Sequence, residues 1–132
     1  MKRLLDTNAY SDLLRGDDRV VQQVKRSTHL VMSSIVVGEL MYGFRRGSKF
    51  EENRETLDDF LSRPYVSLIE VGRATAERFG MIAAELADAG TPIPQNDIWI
   101  AAHALESGAE IISSDRHFEH VPGLLWTNPR RD

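Results

Sequence analysis

The chain has 132 residues and no cysteine, which excludes disulfides, thiolate catalysis and every cysteine-ligated zinc or iron–sulfur site. Its length and 42% hydrophobic content describe one domain over residues 1–132, and 16 basic against 20 acidic residues leave a net charge of −4. Apolar runs such as Ile35 to Val37 are far too short for a membrane helix, and the first residues lack the apolar stretch of a signal peptide. The expected setting is therefore a reducing cytoplasm with no membrane partner.

In chain order, Arg3 to Asp6 is a short apolar run ending on an acid. Thr7 to Arg15 carries Ala9, Tyr10, Leu13 and Leu14 at helical spacing, and Gly16 stands where that helix should stop. Asp17 is placed to cap a second helix through Val20, Val21 and Val24. His29 to Ser33 predicts a buried strand, and Ser34 the cap of a helix holding Val36, Leu40 and Phe44. Lys49 to Ser62 predicts another helix, closed by Pro64, and Tyr65 to Val71 a third strand. From Arg73 to Ala89, the residues Ala76, Phe79, Ile82, Ala83, Leu86 and Ala87 form one apolar stripe that Gly90, Pro92 and Pro94 end. A helix over Asn96 to Ser107 stops at Gly108, Ala109 to Ser113 is a fourth strand, and Leu124 to Thr127 a short fifth. Strands alternating with helices predict an α/β fold: a parallel sheet covered on both faces.

In such a sheet the chemistry sits at the carboxyl ends of the strands. Four acids can reach that edge. Asp6 ends the first strand, and Asp115 follows the fourth. Glu39 lies about one turn inside the helix after the second strand, and Asp97 lies in the first turn of the helix after Pro94. An aspartate at a strand-to-helix junction is commonly a cap, which fits Asp6, Asp97 and Asp115 one at a time. Glu39 is too far inside its helix for that. Its neighbours Val37, Gly38, Leu40 and Met41 predict burial, where a carboxylate needs a cation. No basic residue occurs between His29 and Arg45 to supply one. A metal ion would.

These residues carry a resemblance. LLDTN at 4–8, the Ser33 to Gly43 stretch with its ELMYG, NDIWIAA at 96–102 and SSD ending at Asp115 resemble, in order and spacing, the PIN-domain ribonucleases. The small size and the ELMYG and DIWIAA wording resemble the VapC-type toxins of toxin–antitoxin modules. The resemblance runs from Leu4 to Leu124 and implies a three-layer α/β/α sandwich with a mostly parallel sheet of four to five strands. It implies that Asp6, Glu39, Asp97 and Asp115 bind Mg²⁺ or Mn²⁺ and catalyse hydrolysis of an RNA phosphodiester. It further implies an antitoxin protein as partner and a homodimer.

Elementary chemistry agrees with that set. Hard divalent cations take oxygen ligands, and a bound ion makes a water acidic enough to attack phosphorus. Thr7, Asn8 and Ser113 can orient the carboxylates, while Arg116 and His117 adjoin Asp115 as substrate contacts. A pI of about 5.6 is too acidic for a protein that simply coats phosphates, yet the excess of four acids equals the proposed site. Other basic residues read as solvated helix ends (Arg45, Arg46, Lys49) or as a loose tail (Arg130, Arg131). The histidines show no metal-ligand spacing and read as surface, whereas Trp99 and Tyr42 read as core or dimer contacts. Two rival enzymes are excluded by the residues themselves. A haloacid-dehalogenase-like phosphatase needs a second aspartate where Asn8 stands, and both it and a receiver domain need a lysine beyond Lys49. A catalytically silent PIN-like module that only binds RNA or protein would fit a chain lacking one of the four acids.

Overall fold

The computed structural model describes residues 1–130. Strands β1 (Lys2–Leu5), β2 (His29–Ser33), β3 (Val66–Ile69), β4 (Glu110–Ile112) and β5 (Trp126–Thr127) form one sheet in the order β3-β2-β1-β4-β5. Every adjacent pair is parallel. Between the strands lie helices α1 (Thr7–Leu14), α2 (Asp18–Lys25), α3 (Ser34–Arg46), α4 (Phe50–Leu61), α5 (Arg73–Asp88) and α6 (Gln95–Ser107), and a 3₁₀ turn spans Arg116–His120.

The central strand explains the apolar run at the start of the chain. Leu4 pairs in register with Val31 on one side and Ile111 on the other, and Leu4, Leu5, Ile111 and Ile112 are fully buried. A strand covered on both faces has no solvent side for polar residues to occupy, so it reads as a continuous run rather than an alternation. Right-handed crossovers, the rule for parallel connections, set α1 to α4 over one face and α5 and α6 over the other. The helix contacts follow: α1 with α2, α3 with α4, and α5 with α6. Phe79 stacks on Trp99 between α5 and α6, ring centroids 4.0 Å apart, which makes Trp99 an internal packing residue. The result is the three-layer α/β/α sandwich, and no helix is long and apolar enough to cross a membrane.

Several local expectations change in detail. Ser33, not Ser34, caps α3: its hydroxyl accepts the Ile35 N–H and bonds the ring Nδ1 of fully buried His103 at 2.7 Å. Ser34 is already the first helical residue. The α5 stripe is narrower than its spacing suggests, with Ile82 and Leu86 buried but Ala76 and Ala87 exposed. Tyr42 is not core, since it is 69% exposed. Gly108 ends α6 in the left-handed region, φ +69°, where a side chain would be strained.

The shared Ser33 hydroxyl gives a measurable asymmetry between two adjacent serines. Ser33→Ala removes a cap and strips a buried imidazole nitrogen of its partner, and should cost about 2–3 kcal/mol. In thermal denaturation that is a fall of roughly 10 °C, whereas Ser34→Ala should change stability by less than about 0.5 kcal/mol. Equal effects of the two substitutions would return the cap to Ser34.

Candidate metal centre

Asp6 lies directly beyond β1, where its N–H still donates to the Ile112 carbonyl at 3.1 Å and so extends the β1–β4 ladder by one residue. Its backbone starts α1, but its side chain caps nothing. Instead Oδ2 accepts the hydroxyl of buried Ser113 at 2.7 Å. The same Ser113 oxygen accepts the Asp115 N–H at 2.9 Å, while the Ser113 carbonyl holds the Trp126 indole and its N–H reaches Thr127. One buried serine therefore ties the two strand-end aspartates together across the β1–β4 boundary. That boundary is where the chain reverses its direction of travel across the sheet.

Glu39 reaches the same place from α3. Its oxygens accept the Thr7 hydroxyl at 2.6 Å and the Asn96 amide at 3.3 Å. The residue is half-buried rather than buried, because Gly38 and Tyr42 leave that face of α3 open, and no basic side chain pairs with it among the described residues. Neutral donors hold it.

Asp97 enters on the first turn of α6 and is buried. It caps nothing, and the residue at the cap position is Pro94, which has no N–H to offer a side chain three residues on. Its Oδ2 meets His117 Nδ1 at 2.9 Å, and the same nitrogen lies 2.9 Å from Asp115 Oδ1. Of the three aspartates only Asp115 acts as a cap, accepting the His117 N–H at the start of the 3₁₀ turn. His117 is thus more than a surface histidine. Spacing to other histidines could not reveal this, because its partners are two aspartates, one of them distant in sequence.

Burial and crowding leave their mark on these groups. Asp97 is pushed up to about 6, first by burial and then by the charges of Asp115 and Asp6, against the hydrogen bond from His117. Asp6 is also raised, by burial above all, with Glu39 and Asp115 adding repulsion and the Ser113 bond opposing it. The His117 imidazole is raised in turn, chiefly by its bond to Asp97.

A cleft of about 460 Å³ opens here, lined by all four acids with Thr7, Asn8, Ser11, Asp12, Arg15 and Arg130. Ligand atoms of Asp97, Asp115 and His117 all lie within 4.8 Å of one another. Hard carboxylate oxygens with at most one imidazole suit Mg²⁺ or Mn²⁺, and a cation would offset the burial and the repulsion that raise Asp6 and Asp97. The donor set fits such an ion. Arg116, by contrast, is exposed and outside the cleft lining, and Arg131 lies outside the described residues. Arg130 is no loose tail: Pro129 is buried and the Arg130 guanidinium reaches the cleft. Its part, like those of Asp12 and Arg15, carried no sequence signal beyond the helical spacing of Asp12 and Arg15.

Comparison with known proteins agrees with this geometry. The family model described as PIN domain matches residues 3–124. The ribonuclease VapC2 of Haemophilus influenzae is 35% identical over 97% of this chain and 98% of its own length. The tRNA(fMet)-specific endonuclease VapC of Salmonella typhimurium is 30% identical over 94% and 95%. Among solved structures, VapBC2 of Rickettsia felis bound to a promoter DNA fragment superposes with a TM-score of 0.83 at 29% identity, covering 97% of this chain and 98% of the other. DNA-bound VapBC from Salmonella typhimurium gives 0.84 at 29% identity, covering 98% of each. The chain belongs to the PIN-domain family, within its VapC-type branch.

The raised Asp97 and His117 have one sign in common. A group whose folded value lies above its unfolded one adds stability at low pH and loses it as pH climbs. In EDTA, urea denaturation should show the protein losing up to about 3 kcal/mol from Asp97 between pH ~4 and ~7. Asp97→Asn should lack that loss, so its stability relative to the parent should rise through this window. A constant difference would mean that Asp97 is not held in a site hostile to its charge.

Proposed function

We propose that this chain is a metal-dependent endoribonuclease that hydrolyses RNA phosphodiester bonds and serves as the toxin of a toxin–antitoxin pair. The observation that carries the reading is the meeting of Asp6, Glu39, Asp97 and Asp115, distant in sequence, in one cleft at the carboxyl edge of the sheet. Relatives of similar length that bear the names ribonuclease and tRNA(fMet)-specific endonuclease support it. The similarity to VapBC complexes supports a small antitoxin protein as partner.

Asp6, Glu39, Asp97 and Asp115 would hold the Mg²⁺ or Mn²⁺, with His117 able to join or to yield its place. The ion would make a bound water acidic enough to attack phosphorus and would shield the charge that develops on the phosphoryl oxygens. The chain's own residues do the rest. Ser113 ties the Asp6 carboxylate to the Asp115 backbone, and Thr7 and Asn96 aim Glu39 into the cleft. One of the four acids would take the proton of the attacking water.

RNA cleavage should vanish in EDTA and return with Mg²⁺ or Mn²⁺, leaving 5′-phosphate and 3′-hydroxyl ends; a 2′,3′-cyclic phosphate product would overturn hydrolysis by a metal-activated water. At about 100 times its dissociation constant Mn²⁺ should stabilise the protein by roughly 2.7 kcal/mol. Asp6→Asn, Asp97→Asn and Glu39→Gln should each lose most of that thermal shift, and retention by all three would remove the shared site.

The homodimer and the antitoxin belong to the same proposal. Light scattering at micromolar concentration should give twice the chain mass, and expression from the native operon should co-purify a small partner. A monomer without a partner would refute both.

A further inference from the structure

The acid cleft continues past the carboxylates along α1. There Asp12, only 3% exposed, is gripped from both sides. Arg15 Nη2 bonds its Oδ1, and Arg130 Nη2 bonds its Oδ2 at 2.8 Å. The two guanidinium groups belong to side chains that are 68% and 52% exposed, and both residues line the cleft. Arg130 is brought there by a docked chain end. Pro129 is buried, the Arg130 N–H donates to the Asn128 side chain, and the Arg130 carbonyl accepts Arg19 at 3.3 Å.

Charge makes this arrangement more than a staple. One carboxylate between two guanidinium groups leaves a net positive charge beside a cluster of four acids. Unrestrained arginines so close would swing onto those acids and displace any cation there. Asp12 takes one nitrogen from each fork, and among the described residues neither fork bonds any of the four acids, which leaves their other N–H donors for a ligand. A guanidinium presents five donors in a plane that matches phosphate oxygens. A buried staple alone would be served at least as well by apolar side chains.

We propose that Arg15 and Arg130, oriented by Asp12, form an anchor for an RNA backbone phosphate next to the one at the acid site. The anchor rests on the nuclease reading and names the part of the substrate that this end of the cleft grips. Phosphate bound there would run the strand along α1 toward the carboxylates and supply the positive charge that the chain lacks overall.

The test uses the full chain carrying Asp97→Asn, which should not cut, and a fluorescein-labelled single-stranded RNA of mixed sequence. Anisotropy titrations are repeated across a series of potassium chloride concentrations. Arg15→Gln and Arg130→Gln keep a hydrogen-bonding amide toward Asp12 and lose the charge. Each should weaken binding roughly tenfold and lower the slope of log K against log salt by about 0.7. Arg78→Gln, far from the cleft on α5, should change neither. Asp12→Asn deletes a negative charge yet should weaken binding, because the forks lose their orientation; a merely electrostatic cleft would bind tighter.

In parallel, the Mn²⁺ thermal shift is measured for the two arginine variants in the otherwise unaltered protein, where it should persist. Unchanged affinity and slope in Arg15→Gln/Arg130→Gln overturn the anchor, as does loss of the Mn²⁺ shift together with RNA binding. So does a pair of variants that bind RNA normally but release the co-expressed small partner, which would assign the arginines to a protein surface. Arginine effects on RNA in a protein with no Mn²⁺ shift and no cleavage would instead leave the anchor standing and remove the nuclease reading.

Discussion

Four carboxylates at one end of a parallel sheet repel one another, and the fold holds them there with neutral donors rather than cations. Ser113 bonds Asp6, Thr7 and Asn96 bond Glu39, and among the described residues only His117 brings a group that can carry positive charge against Asp97 and Asp115. A lysine or arginine in this position would satisfy the acids outright and leave nothing for a divalent ion to do. Hydroxyls and amides fix the direction of each oxygen while leaving its charge unspent. Burial first, and the neighbouring carboxylates after it, raise Asp6 and Asp97, and the rest of the structure has to offset that penalty.

The offset comes from the layer directly beneath. Leu4, Leu5, Ile111 and Ile112, all fully buried, carry the two strands whose ends present Asp6 and Asp115. The Asp6 N–H to Ile112 carbonyl bond joins core to site without a flexible linker. On the other side, Ile98, Ile100, Ala101 and Ala102 of α6 pack into the core within a turn of Asp97. Each acid is thus at most a residue or two from a buried side chain, Glu39 through the adjoining Leu40, but the surroundings of Glu39 differ. Glu39 stands on a helix face that opens toward Tyr42, and the direction of its carboxylate is set by two hydrogen bonds.

That difference decides what could be read from the chain. The strand-end acids follow from the apolar runs before them, since a buried strand must end where polarity begins. Asp6 and Asp115 were legible for that reason, and the cap explanation was a fair competitor because Asp115 does cap its turn. Asp97 escapes the cap reading only through Pro94, a residue already visible in the sequence. The one-residue error at Ser33 and Ser34 has a different origin. Both serines can cap, and the choice is made by the buried His103, whose ring needs the hydroxyl and whose approach no local pattern announces. The roles of His117 and Arg130 are hidden from the sequence on the same ground. Their partners come together only after the sheet is assembled, across 20 residues in one case and 118 in the other.

The overall acidity of the chain takes on a physical meaning in this light. An RNA-handling surface is expected to be basic in total, because affinity for a polyanion grows with the number of phosphates neutralised. Here the cation that RNA needs would be supplied in part by the bound metal, and in part by two arginines drawn from opposite ends of the chain onto a single buried aspartate. Such a surface is selective in a way a basic coat is not. Without the ion the four carboxylates would repel phosphate and the two arginine forks alone would attract it; with it, a second point of positive charge would stand beside those forks. A strand could then be held only in a path that brings a phosphodiester to the carboxylates, so that recognition and placement for hydrolysis become the same event.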